Sequence, residues 1–347
     1  MKYVLAPLAG FTDAPFRRLC FEGGADLTYT EMVSAAGLAH GSSPTRHLFE
    51  TMPGEGPVAI QIFGAKESDI AYATRVVEDL ETRTLDGRRE TRFVELNLNA
   101  GCPMKKVTRE GAGAKLIESP DLVHRLLKAM VENTSLPVTL KTRLGPHPQN
   151  TNVFELLDAA ERAGAKGLIV HARYTSQMHG GSVDLDTLAD VVARARIPVT
   201  GNGSVVDAKT VAEMAKTGVD AIMIGRAALA NPGIFSWLKC QEVERRGGGG
   251  QREAENFLCP PPSLLSTSSG FEAFRRHLRY LLAFRDQLAA RFPNDRIPSP
   301  DAFASVKMHV HLFRYFNGRP GAAELRKRLN AVRTLAEVET VVRHFIN

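Results

Sequence analysis

Disulfide chemistry is the first thing this chain lacks. Its four cysteines, Cys20, Cys102, Cys240 and Cys259, are scattered and form no C-x-x-C pair. That pattern favours a reducing cytoplasm and leaves any special cysteine to catalysis. The histidines and cysteines show no metal-ligand spacing, so no metal is expected. No apolar run approaches the roughly 20 residues of a membrane span, and no membrane association is expected. The chain runs from Met1 straight into Tyr3-Val4-Leu5-Ala6-Pro7 without the basic and apolar regions of a leader, so secretion is not expected. A G-x-G-x-x-G dinucleotide fingerprint is also missing.

What is present describes an ordinary globular protein, with 44% hydrophobic and 24% charged residues and a mean hydropathy of −0.15. At 347 residues the chain exceeds one typical domain, and a barrel of about 240 residues plus a smaller domain is a natural division. The formal charge of +6 is unevenly placed. Residues 271–347 hold 14 Lys+Arg against 7 Asp+Glu, whereas residues 1–270 hold 30 against 31. A polyanion would therefore meet the C-terminal segment first. A helical bundle with solvated arginine faces accounts for the same charge.

Short β-branched runs recur eight times, each followed by a polar or glycine-rich turn and a helix-period stretch. They are Tyr3–Ala6, Leu27–Thr30, Val58–Ile62, Phe93–Leu98, Val138–Lys141, Gly167–Val170, Pro198–Thr200 and Ala221–Ile224. Eightfold strand-helix alternation predicts an α/β fold, a (β/α)8 TIM barrel. Counting strands does not show closure, so a doubly wound open sheet is the structural alternative. The barrel is expected over residues 1–240. Residues 241–270, with Gly247–Gly250 and Pro260–Pro262, read as a linker. Beyond it, helical spacing over Phe271–Phe292, Asp301–Phe316, Gly321–Leu329 and Thr334–Phe345 predicts a small all-helical C-terminal domain.

In a barrel of this kind the active site is built where the strands end. Those positions carry Pro7-Leu8-Ala9-Gly10, Glu31, Gln61, Asn97 to Pro103, Lys141-Thr142-Arg143, His171-Ala172-Arg173, Gly201-Asn202-Gly203-Ser204 and Gly225-Arg226. A nearly complete ring of polar residues and glycine is hard to obtain by chance. The glycines of the last two loops free backbone N–H groups to approach a phosphate. Glycines alone do not choose among FMN, PLP and a phosphosugar.

The strings Ala6-Pro7-Leu8-Ala9-Gly10-Phe11-Thr12-Asp13, Gln61-Ile62-Phe63-Gly64, Asn99-Ala100-Gly101-Cys102-Pro103-Met104-Lys105-Lys106-Val107, Gly111-Ala112-Gly113-Ala114-Lys115-Leu116, Lys141-Thr142-Arg143-Leu144-Gly145 and Met223-Ile224-Gly225-Arg226 resemble, in order and spacing, the successive motifs of the tRNA-dihydrouridine synthases. Lys307-Met308-His309, followed by Leu325-Arg326, resembles that family's helical domain. The resemblance implies FMN, with Pro7, Leu8 and Ala9 at the flavin, Gln61 and Lys141 on its ring edge and His171 nearby. It implies that the phosphate meets Asn202, Gly203, Ser204, Gly225 and Arg226, and that Cys102 is the general acid. Leu8 stands where Met is frequent, Asn97 and Ser204 where Asp is usual, and His179 where Tyr is usual. These departures remove no catalytic group.

The implied chemistry suits the residue types. Reducing the uracil 5,6-double bond takes a hydride at one carbon and a proton at its neighbour. A thiol with an ordinary pKa of about 8.5 keeps that proton at neutral pH yet can release it beside a developing carbanion. Lys141 and Arg143 can stabilise negative charge, although His171 can equally be a histidine that caps its strand. The expected substrate is tRNA, contacted by Arg143, Arg173, Arg275, Arg276, Arg279, Lys307, Arg326, Lys327 and Arg328, with NADPH or NADH as reductant and no obligate protein partner. Two other readings compete: an FMN-dependent dehydrogenase of a free pyrimidine such as dihydroorotate, and a non-catalytic RNA-binding flavoprotein.

Overall fold

The computed structural model describes residues 1–82, 84–85, 88–89, 93–245, 267–315, 321–332 and 334–346. The first half of the chain runs β1 (Lys2–Leu5), α1 (Ala14–Glu22), β2 (Leu27–Ser34), α2 (Ala35–Ala39), α3 (Ser43–His47), β3 (Val58–Phe63) and α4 (Glu67–Thr82). A two-stranded hairpin, β4 (Thr84–Leu85) and β5 (Arg88–Arg89), leads to β6 (Glu95–Ala100), α5 (Lys105–Thr108), α6 (Pro120–Val131), β7 (Val138–Arg143) and α7 (Val153–Ala163). Then come β8 (Gly167–His171), α8 (Leu185–Arg194), β9 (Val199–Asn202), α9 (Ala208–Ala215), β10 (Ala221–Ile224), α10 (Arg226–Ala230) and α11 (Ile234–Arg245). The tail holds α12 (Thr267–Arg291), α13 (Pro300–Tyr315), α14 (Ala322–Ala331) and α15 (Leu335–Ile346).

Eight parallel strands close in the order β1-β10-β9-β8-β7-β6-β3-β2, so closure replaces the open-sheet alternative. The helices begin where short polar side chains satisfy their free N–H groups. Asp13 accepts from Phe16 N to start α1, Asp184 from Thr187 N to start α8, and Asp207 with Thr210 forms a capping box on α9; such a cap is worth about 1 kcal/mol. The barrel interior packs Val4, Ala6, Tyr29, Ala59, Ile169 and Met223.

The chain separates into two compact units. One comprises Met1–Pro7, Asp26–Thr51 and Gly56–Gly225, the other Leu8–Ala25, Met52–Glu55 and Arg226–Asn347. The second unit is thus not simply the tail expected from residue 271. Leu19 of α1 is buried among Phe274, Leu278 and Leu281 of α12, with Ala304, Met308 and Tyr315 of α13 completing the packing. Arg17, fully buried in the same unit, bonds Glu55 at 2.7 Å and the Thr12 carbonyl at 2.8 Å. An apolar α1 face and one satisfied internal ion pair bring residues 8–25 into the helical core. Most of the expected linker, residues 246–266, lies outside the described residues.

Most strands reach beyond the predicted ends. β6 runs to Ala100, β7 to Arg143, β8 to His171 and β9 to Asn202. Polar residues there looked like loop in the sequence, but they continue the ladder, and alternate ones, among them Asn99, Lys141, His171 and Asn202, take the inward phase.

Candidate active site

Strand register assembles the site. Gln61 stands opposite Asn97, Asn99 opposite Lys141, Arg143 opposite His171, His171 opposite Asn202, and Asn202 opposite Met223. Because side chains alternate along a strand, Glu95, Asn97 and Asn99 share one phase of β6. They belong to a continuous hydrogen-bonded chain. Tyr29 Oη and Thr139 Oγ1 each donate to Glu95 Oε1 at 2.5 Å, and Asn97 Nδ2 donates to Thr139 Oγ1 at 2.7 Å. Gln61 Nε2 donates to Asn97 Oδ1 at 2.7 Å, and Asn99 Nδ2 donates to Gln61 Oε1 at 2.8 Å. Asn99 Oδ1 then accepts from the backbone N–H groups of Gly101 and Cys102, both at 3.0 Å. A polar chain this buried fixes each amide in one orientation.

The same bonds hold the Cys102 loop. Its carbonyl accepts from Ala114 N at 2.9 Å. Gly113, at φ +60°, leaves no room there for a side chain, since a Cβ would lie 2.6 Å from the Cys102 carbonyl oxygen. From the other side, Arg143 Nε donates to Gly101 O at 2.9 Å and Nη1 to Tyr174 O at 3.2 Å. Burial pushes the half-buried Cys102 thiol up from its ordinary value, against the opposing pull of the Met104 main chain, Arg143 and Lys141. The thiol is therefore protonated at neutral pH.

Lys141 Nζ donates to Asn202 Oδ1 at 3.3 Å, and Asn202 Nδ2 donates to Met223 O at 2.8 Å. Burial, with the nearby Arg143 charge, brings the ammonium down to about 7, so an arriving anion can restore its full charge. His171 is held well below its ordinary value by burial and by Lys141, Arg143 and Arg173, and so it is neutral. Arg173 Nη1 lies 3.1 Å from His171 Nε2.

The β9 loop takes left-handed backbone at two successive residues. Gly203 adopts φ +126°, where a Cβ would come within 2.8 Å of Val183 Cγ1 and 3.0 Å of His171 Cδ2. Ser204 follows at φ +54°, in the left-handed region. Its hydroxyl accepts from Arg173 Nη2 at 2.6 Å. The first unit thus collects Gln61, Cys102, Lys141, His171, Asn202, Gly203 and Ser204, with Pro7 following β1 and Gly225 following β10. Leu8, Ala9 and Arg226 belong to the second unit.

Several residues expected at the RNA also make contacts within the protein. Arg143 and Arg173 are only 2% and 3% exposed. Their guanidinium groups brace main-chain carbonyls, Arg173 through Gly180 and Gly181 at 2.9 and 2.8 Å, so they shape the site from within. Lys307 Nζ lies 3.5 Å from the Asp13 carboxylate, and Arg276 pairs with Glu22 at 3.6 Å. Arg275, Arg279, Lys327 and Arg328 are exposed, and the Arg326 side chain lies outside the described residues. Glu95 and Thr139 were not picked out from the sequence, and Asn97 and Asn99 only as strand-end residues without a role. The in-phase polar triplet of β6, at every second position of a barrel strand, was the signal for three of them.

The dihydrouridine synthase family model matches residues 4–290. The tRNA-dihydrouridine synthase B of Klebsiella pneumoniae is 37% identical over 293 residues, covering 81% of this chain and 86% of that protein. The protein of the same name from Escherichia coli K12 is 32% identical over 295 residues, again covering 81% and 86%. Barrel and cysteine loop thus stand in a sequence matched to one family along most of its length: the chain belongs to the dihydrouridine synthase family.

Proposed function

We propose that this protein reduces uridine in tRNA to 5,6-dihydrouridine, with FMN as its flavin, NADPH or NADH as reductant and Cys102 as proton donor. The observation that carries the reading is the Cys102 loop. A thiol kept protonated by burial is held by Asn99 and Arg143 on one side and by Gly113 on the other. Family membership gives the reaction class.

The left-handed Gly203–Ser204 turn is assigned to a phosphate, and Gln61, bonded to Asn99, and Lys141, whose ammonium reaches Asn202, are assigned to a heterocycle edge. Pro7, His171, Asn202 and Gly225 complete the set assigned to FMN within the first unit. Bound FMN supplies the hydride for one carbon of the uracil double bond. Cys102 gives the proton at the neighbouring carbon. Lys141 regains full charge as negative charge gathers on the pyrimidine or flavin, and neutral His171 adds no competing cation. Burial by the surrounding main chain keeps water from quenching that charge.

The tail's exposed basic residues, among them Arg275, Arg279, Lys327 and Arg328, are assigned to the tRNA backbone. A uracil within folded RNA must be extruded before it can react, and phosphate contacts offset that cost. Among the described residues no helix is long and apolar enough to cross a membrane, and we assign the protein to the cytoplasm, where tRNA is processed. The test is to incubate purified protein with NADPH and unmodified tRNA transcripts and to measure dihydrouridine by mass spectrometry. Dihydrouridine at defined positions is expected. Its absence with flavin-loaded protein overturns the reading.

A further inference from the structure

Three side chains of the second compact unit, Asp13, His277 and His311, bring one possible ligand atom each within 4.8 Å of one another. They are 6%, 0% and 0% exposed. Asp13 Oδ1 caps α1 through Phe16 N at 3.2 Å, while Oδ2 accepts no hydrogen bond and lies 3.5 Å from Lys307 Nζ. His277 Nδ1 lies 2.9 Å from Tyr315 Oη, and His277 Nε2 has no hydrogen-bond partner. Neither nitrogen of His311 has one. The Phe11 main chain is close enough to favour a charged His311 without making a bond of normal geometry. The two imidazole centroids are 4.5 Å apart at 80°, and Phe16 lies 4.7 Å from His311. Packing alone is served as well by phenylalanine, whereas buried nitrogens without partners are costly and rare.

We propose that Asp13, His277 and His311 form a binding site for a divalent transition-metal ion of the zinc class. Two imidazole nitrogens and one carboxylate oxygen are a mixed donor set that zinc accepts, with a fourth position left for water. Magnesium and calcium favour oxygen throughout. Tyr315 supplies the outer contact such a site needs: with Nδ1–H donated to its hydroxyl, His277 keeps its lone pair on Nε2. Burial holds both imidazoles neutral, His311 down to about 4, so no proton has to leave at neutral pH. Burial alone raises Asp13, but the Lys307 charge and the Phe16 N–H bond oppose it, and the carboxyl lies below its ordinary value. Lys307 is the counter-charge in the metal-free arrangement, and its partly exposed side chain, 29% accessible, can swing outward when a cation enters. The ion would tie α1 to α12 and α13. The sequence gives no spacing signal because the three ligands lie on elements far apart in the chain.

The test uses the full-length protein stripped by a chelator and titrated with Zn(II) by calorimetry, beside His277→Phe, His311→Phe and Lys307→Met. One equivalent should bind the parent and raise its melting temperature, and both phenylalanine variants should lose that equivalent with flavin content unchanged. Lys307→Met should bind roughly tenfold more tightly, because one like charge has been removed from the site. X-ray absorption of the bound zinc should show nitrogen and oxygen ligands only. Equal Zn(II) binding by parent and His311→Phe overturns the proposal, as does sulfur ligation. If both phenylalanine variants fail to fold, unchanged Zn(II) affinity in Lys307→Met overturns it.

Discussion

Replacing Asn99 by alanine tests whether the interior polar chain holds the cysteine loop. Asn99 is 6% exposed and makes four hydrogen bonds, two to the Gly101 and Cys102 N–H groups at 3.0 Å, one to Gln61 at 2.8 Å and a weaker one to Met32 Sδ at 3.7 Å. Each bond contributes about 1 kcal/mol net, and an orphaned buried donor costs about 1–3 kcal/mol. Water reaching the half-buried loop returns part of this, so we expect a loss of about 3 kcal/mol. If that loss falls on local opening of the loop, the open state rises by about 10²-fold. Uridine reduction should then fall by a similar factor as the thiol leaves its position. The assays are single-turnover reduction of tRNA and the rate at which a small alkylating reagent modifies Cys102, which should increase. Asn99→Asp is the informative control. It keeps the acceptor for both N–H groups but sets a carboxylate against Gln61 Oε1, so Gln61 must rotate its amide. Alkylation should stay slow while flavin affinity falls. Parent-like alkylation and turnover in Asn99→Ala would refute the positioning role.

Three further outcomes are expected. Asn97 is fully buried and donates to Thr139 Oγ1, whose own proton goes to Glu95, a carboxyl that burial already raises. In Asn97→Asp the new carboxyl should titrate above its ordinary value of about 3.9. It then holds more protons folded than unfolded, so stability relative to the parent is lost as pH rises through the folded value; a pH-independent difference in urea midpoint contradicts this. Gly203→Ala sets a Cβ 2.8 Å from Val183 and 3.0 Å from His171 at φ +126°, so purified protein should retain less FMN; full retention removes this loop from the phosphate site. Lys327→Glu with Arg328→Glu, both exposed, should lower the salt slope of tRNA binding by about 2, taking roughly 0.9 per phosphate as a guide, while flavin content is kept. An unchanged slope assigns this cluster to a solvated helix face.

The barrel was legible because its eight apolar runs are short, regularly spaced and separated by helix-period stretches, and Ala221–Ile224 matches β10 residue for residue. The places of Cys102, Lys141 and His171 at or just past strand ends were legible because the apolar run before each is short and sharply bounded. What sequence hid was direction. Arg143 and Arg173 look the same on paper whether they face RNA or turn inward to cap carbonyls, and only β7–β8 register with the loops after them decides. The role of α1 was hidden likewise, since a buried Leu19 does not say which core receives it. The Asp13, His277 and His311 cluster depends on three elements meeting, which no spacing rule reads.

The central claim is that Cys102 delivers the proton in uridine reduction and is not needed before that step. Flavin reduction by NADPH and uridine reduction in tRNA should be followed separately by stopped flow in the parent and in Cys102→Ala. The account predicts that the first is unchanged and the second slows by about 10²-fold or more, the scale of a lost general acid. Equal uridine turnover in the two proteins, with the flavin fully bound, would contradict it.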